Sequence, residues 1–243
     1  MSKLVDKLLD AASWLRNECN QLSFQAPVEW VYNPLEYAWL AHESYIQKYA
    51  KTSCRVLFLG MNPGPYGMAQ TGVPFGEIAS VKGWLGIETD VHKPDKEHPK
   101  RPVEGFACTK SEVSGRRLWG LFERKFEKPQ HFFRNHFVTN YCPLVFMDHG
   151  GRNVTPDKIK RDDAQKLNKK CDEHLQRIID AIKPEFLVGG GAFAEEWLER
   201  VTAGASGLRI SRILHPSPAS PAANRDWDGT ATRQLIEAGV WSE

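Results

Sequence analysis

Long apolar runs are missing from this 243-residue chain. No stretch approaches the roughly 18–20 apolar residues that cross a bilayer, so no membrane partner is expected. Residues 1–22 mix charges with apolar side chains and lack the unbroken apolar block of a signal peptide. The expected address is cytoplasmic in a bacterium and nuclear in a eukaryote. Cysteine is sparse: Cys19, Cys54, Cys108, Cys142 and Cys171 form no C-x-x-C pair and are odd in number. That pattern argues against a zinc ribbon, a cysteine-bound iron–sulfur cluster or a disulfide framework, and for reduced thiols. An excess of one charge is also lacking, since 32 Lys and Arg face 30 Asp and Glu. A strongly basic DNA coat protein is thereby excluded, whereas a compact basic groove is not. The phosphate-cradling G-x-x-x-x-G-K-[ST] loop is absent as well.

What is present suits a globular chain, with 41% hydrophobic and 26% charged residues. No repeat, low-complexity tract or linker divides it, so residues 1–243 are expected to form a single domain. Residues 93–102, rich in charge and proline, read as a long exposed loop. Four short apolar runs, at 55–59, 136–140, 185–188 and 208–214, read as parallel strands covered on both faces. Helical patterns fall between them at 4–22, 34–49, 114–126, 155–182, 192–201 and 230–238. Ser114 is the expected cap of the third, and Thr155-Pro156 has the cap-then-proline form of a helix start. Strands alternating with helices predict an α/β fold with a parallel sheet.

In open α/β sheets, ligands bind beyond the carboxyl ends of the strands. The first strand ends in Gly60-Met61-Asn62-Pro63-Gly64-Pro65-Tyr66-Gly67-Met68, the second at Asn140, and the fourth at His215-Pro216-Ser217-Pro218. Three separate segments therefore bring polar residues to one sheet edge. Taken singly, each has a plain structural reading. Asn62 suits a helix cap, Asn140 and His215 suit buried hydrogen bonding, and Met61, Met68 and Phe75 suit core packing. Taken together, those readings leave their convergence unexplained.

Residues 57–76, from Leu57 through Asn62 and Gly64 to Phe75-Gly76, closely resemble the first motif of the single-strand-selective monofunctional uracil-DNA glycosylases. Leu214-His215-Pro216-Ser217-Pro218 resembles the second motif of the wider uracil-DNA glycosylase superfamily. Further matches are residues 97–103, residues 111–115, Asn140 with Cys142-Pro143-Leu144, and Gly151-Arg152-Asn153, so the likeness runs from about Val56 to Trp227. The resemblance implies a central four-stranded parallel sheet flanked by helices in three layers. It implies hydrolysis of the N-glycosidic bond between a flipped uracil and deoxyribose, leaving an abasic site in base excision repair.

The resemblance also implies roles. Asn62 would position the attacking water, and His215 would hydrogen-bond O2 of the departing base as charge develops there. Asn140 would read the pyrimidine edge, and Phe75 would lie under the base. Met61 and Met68 would shape the pocket. Gly64 stands where uracil-exclusive relatives carry a tyrosine, which implies tolerance of 5-substituted uracils such as 5-hydroxymethyluracil. Ser114, Ser217, Asn224 and Arg225 are candidate DNA contacts. Ala219 departs from the family, whose animal members carry an arginine there that wedges into the duplex. No lysine lies in residues 60–76, 138–142 or 214–221, so a Schiff-base lyase step is not expected. No metal or organic cofactor is expected. The expected partners are single- and double-stranded DNA containing uracil or oxidised thymine derivatives, met by a monomer. Two other readings share this cleft: a non-catalytic module that binds damaged DNA, and a hydrolase acting on free nucleosides.

Overall fold

The computed structural model describes residues 3–50 and 54–242. In chain order its elements are α1 (Lys3–Asn20), β1 (Trp30–Tyr32), α2 (Pro34–Tyr37), α3 (Trp39–Tyr49), β2 (Val56–Gly60), α4 (Met68–Thr71) and α5 (Ile78–Gly83). Next come α6 (Val113–Phe126), α7 (Pro129–Phe133), β3 (His136–Asn140), β4 (Val145–Met147), α8 (Arg161–Ile182), β5 (Phe186–Gly190), α9 (Ala192–Val201), β6 (Arg209–Ile213) and α10 (Pro221–Glu237).

The centre is a four-stranded parallel sheet in the order β3-β2-β5-β6, flanked by helices. Every residue of β2, β3 and β5 is buried, as their apolar runs require. The edge strand β6 differs from expectation. Only Ile213 in it is buried, whereas the opposite edge strand, β3, is buried throughout. The register sets Gly60 opposite Asn140 and Gly190 opposite Ile213, so the strand ends are level. Each loop that leaves them starts at one rim.

α1 packs along α8. Leu167, Cys171, Leu175, Ile178 and Ile182 recur at helical spacing on α8, and Val5, Leu8, Ala12 and Leu15 on α1, all buried. Burying one such aliphatic side chain contributes about 1.5–3 kcal/mol. All five cysteines are buried thiols outside any disulfide. Burial pushes the Cys54 thiol up to about 12 and raises that of Cys19, which keeps both protonated and unreactive.

Several helix boundaries depart from the sequence reading. The 34–49 helix breaks at Ala38 into α2 and α3. The 155–182 helix begins only at Arg161. Thr155-Pro156 opens a single 3₁₀ turn at Pro156–Lys158, after which buried Ile159 is extended and ends it. α10 starts at Pro221 rather than residue 230, capped by Ser220, and kinks at Asp226, whose carboxylate accepts from the Gly229 amide. The cap of α6 is Glu112, not Ser114: its two oxygens accept from the amides of Ser114 and Gly115 at 2.9 and 2.6 Å. The loop at 93–102 has no helix or strand but is not exposed throughout. His98 is 3% exposed, held by Tyr32 Oη and the His149 carbonyl. The antiparallel pair β1–β4 has no counterpart among the strands expected from the sequence.

Candidate active site

Gly60 ends β2, and its missing side chain shapes the rim of the sheet at that point. A Cβ there would stand 2.3 Å from Asn140 Oδ1 and 2.5 Å from the Phe75 ring. Glycine thus lets an amide and an aromatic ring close over the strand end. Phe75 itself adopts φ of +52°, a left-handed conformation that costs a non-glycine residue about 1–3 kcal/mol. The turn is pressed against α6, where a Cβ on Gly115 would lie 2.0 Å from the Phe75 carbonyl oxygen.

The loop after β2 is fixed from behind by Gln70, which is 1% exposed. Its Nε2 donates to the carbonyls of Pro65 and Pro102, and its Oε1 accepts from the amides of Glu104 and Gly105. In front, Asn62 Nδ2 makes two long bonds, 3.4 Å to the Pro63 carbonyl and 3.5 Å to that of Leu144. Both use the amide nitrogen, which leaves the amide oxygen for a ligand. Asn140, 8% exposed, turns its Nδ2 toward Met68 Sδ at 3.3 Å.

His215 follows β6. A Cβ on Gly191 would lie 3.0 Å from the His215 Cβ, so glycine at the start of α9 makes room for the imidazole. The Ser217 amide donates to His215 Nδ1 at 3.2 Å, and burial lowers the imidazole's pKa. A neutral ring that accepts at Nδ1 carries its proton on Nε2. The turn that holds it is braced from α6 and α10. Arg117 donates to the Pro216 carbonyl at 2.9 Å and to Asn224 Oδ1 at 2.8 Å, while Asn224 Nδ2 donates to the Pro218 carbonyl.

These segments enclose a cleft of ≈ 390 Å³. Met61, Asn62, Gly64, Met68, Phe75, Asn140 and His215 all line it, as do Ser114 and Ser217. Ala219, Asn224 and Arg225 do not. Ala219 and Arg225 are exposed beyond its rim, and the Asn224 amide is spent on the brace. Around Gly64 the cleft is open, for a Cβ built there meets nothing within 4 Å.

Glu112, Asn153, Thr155 and Gly67 also line the cleft, although the sequence did not single them out as site residues. Glu112 escaped because glutamate is a less favoured cap than the serine two residues on. Burial raises its carboxyl pKa, opposed by the α6 amides it accepts from. Arg117 carried no sequence signal. The Gly189-Gly190-Gly191 run at the end of β5 was a visible sign of close approach. Among the described residues, no group of three or more His, Cys, Asp or Glu is placed to hold a metal ion. Nor is any described helix long and apolar enough to cross a membrane.

Comparison with known proteins bears on the family and the fold. Residues 47–236 match the family model of the uracil DNA glycosylase superfamily. The chain is 45% identical over 238 residues to the single-strand selective monofunctional uracil-DNA glycosylase of Rattus norvegicus, covering 98% of this chain and 86% of the relative. The Mus musculus and Bos taurus proteins of that name are each 44% identical over 238 residues, with 98% of this chain and 85% and 88% of theirs covered. Among solved structures, wild-type Pedobacter heparinus SMUG2 superposes with a TM-score of 0.68 over 99% of this chain and 98% of its own, at 17% identity, a likeness of fold. The chain therefore belongs to the uracil-DNA glycosylase superfamily, and within it to the family of the single-strand-selective monofunctional enzymes.

Proposed function

We propose that this protein is a monofunctional DNA glycosylase that hydrolyses the N-glycosidic bond of uracil and of 5-substituted uracils, in single- and double-stranded DNA. The observation that carries the reading is one cleft lined by both Asn62 and His215, and by Asn140 and Phe75 with them.

The transition state has an oxocarbenium-like sugar and a departing pyrimidine anion. Asn62 orients the attacking water through its free amide oxygen. A neutral amide is a poor base, but the cationic sugar needs little help from the nucleophile, and orientation alone removes several kcal/mol of barrier. His215 donates from Nε2 to the base O2 as negative charge gathers there. One preorganised donor of this kind is worth about 2.7–4 kcal/mol. Asn140 accepts from N3–H with its oxygen and donates to O4 with its nitrogen, the reverse of what cytosine presents. Phe75 offers its ring to the face of the base. The open space at Gly64 admits a 5-substituent, which supports action on 5-hydroxymethyluracil and related oxidised thymines. The catalytic unit is a monomer, and free base and an intact abasic site are the products.

A binder without catalysis is not favoured, since the relatives bear the names of glycosylases and both reacting-site residues are present. The test is incubation with a uracil-containing oligonucleotide and then hot alkali. Strand scission at the uracil is expected; tight binding without scission would leave only the binder.

A further inference from the structure

Beside the base cleft lies a second hollow of ≈ 190 Å³ that the proposed chemistry does not use. Phe193 and Trp197 of α9 form one wall, and Pro156, Ile159 and Leu167 the other. Met61 borders both spaces, so the hollow continues the cleft along the same rim. Phe193 is 55% exposed, the most open of the large apolar side chains among the described residues. Its ring centroid lies 6.4 Å from that of Trp197, inclined at 40°. It stands two residues after Gly191, against which His215 packs.

The charges at the rim narrow the choice of occupant. Asp157 and Glu196 border the hollow. Carboxylates there repel phosphates, yet they accept hydrogen bonds from the exocyclic amino groups of nucleobases. A base can enter where its backbone cannot.

We propose that this hollow seats a nucleobase next to the extruded one in single-stranded DNA, stacked on Phe193. The inference rests on the glycosylase reading above and deepens it. An aromatic face is tolerant of sequence because every base has a π-face. A duplex would have to break a second pair to fill the hollow, whereas a single strand would not. The hollow therefore rewards single strands specifically.

The test is a binding cycle, read by fluorescence anisotropy. The strands carry uracil on 2′-fluoro-2′-deoxyribose, which resists hydrolysis, with either natural neighbours or a tetrahydrofuran abasic nucleotide on the 5′ or the 3′ side. Phe193→Ala is expected to weaken binding of the natural single strand about tenfold, and Phe193→Tyr to keep it. Removing the neighbouring base on one side should weaken the wild-type protein similarly and leave Phe193→Ala unchanged. Natural strands bound equally by Phe193→Ala and wild type would overturn the proposal. So would an equal loss in Phe193→Ala on every strand. Uracil release by the wild type is measured alongside on ordinary deoxyuridine strands. Its absence would sink the glycosylase reading, while the binding cycle would still judge the hollow.

Discussion

The backbone amide of Ser217 points at Nδ1 of His215 from 3.2 Å, and this contact decides which imidazole nitrogen faces the cleft with a proton. A half-buried neutral ring with its acceptor already used can only donate from Nε2. Replacing His215 by alanine removes that donor. Single-turnover excision should fall by about 10²–10³-fold, while affinity for uracil-containing DNA changes only a few-fold. Rates within tenfold of wild type would take His215 out of the chemistry.

Arg117 holds the same turn from outside. It bonds the Pro216 carbonyl and, through Asn224, the carbonyl of Pro218, so it fixes the backbone that carries the Ser217 amide. Arg117→Ala should slow excision about tenfold with DNA affinity and its salt dependence unchanged. The salt slope separates positioning from a direct phosphate contact. Loss of one phosphate contact would flatten the slope of log K against log salt by about 0.9 on duplex DNA and about 0.7 on a single strand.

Asn62 uses only its amide nitrogen within the protein. Asn62→Ala keeps the cleft and removes the group proposed to hold water. Excision should drop on the order of 10²-fold, far more than binding does. Equal excision by variant and wild type would discard the assignment.

Gly64 has no positive φ and no neighbour within 4 Å of a built Cβ, so a larger residue fits the backbone and projects into open space. Gly64→Tyr should therefore fold normally. It should abolish release of 5-hydroxymethyluracil before release of uracil, measured as the ratio of the two single-turnover rates. An unchanged ratio would mean that the 5-substituent lies elsewhere.

The parts legible in the sequence are those with a local physical signature. β2 and β5 are buried on both faces and so read as short apolar runs, and β3 shows the same burial around an apolar Phe137-Val138 centre. The rim residues Asn62, Asn140 and His215 could be brought together from strand ends alone, because parallel strands point one way. What was hidden depends on contacts distant in sequence. β1 and β4 have three residues each, too few to show a period, and their pairing joins Trp30 to Met147. Glu112 took the cap from Ser114 because Gly67 leaves space for it, with a built Cβ there only 3.1 Å from the Glu112 Cγ. Arg117 and Asn224 are 107 residues apart, and nothing local to either announces the brace.

Three of the buried histidines, His42, His136 and His174, make acid stability a further test. Burial lowers the imidazoles of His42 and His136 to about 4 and that of His174 to about 3. His136 donates from Nδ1 to the Phe132 carbonyl and accepts from Trp241 Nε1, as a neutral ring must. His42 bonds the Gly72 carbonyl, and His174 Nδ1 has no partner among the described residues. In the unfolded chain each returns to about 6.5 and binds a proton that the folded state refuses. The unfolded state therefore holds more protons below pH 6.5, and stability rises with pH there. Each histidine contributes a slope of about 1.4 kcal/mol per pH unit between pH 6.5 and its folded value, with the full contribution present above 6.5. Urea unfolding measured from pH 6.5 down to 5, above the range where most carboxylates titrate, should show a steep loss. His174→Leu should make that loss shallower, since it removes one of the contributing slopes. A slope unaffected by His174→Leu would mean that its ring is already protonated in the folded protein, or reached by solvent.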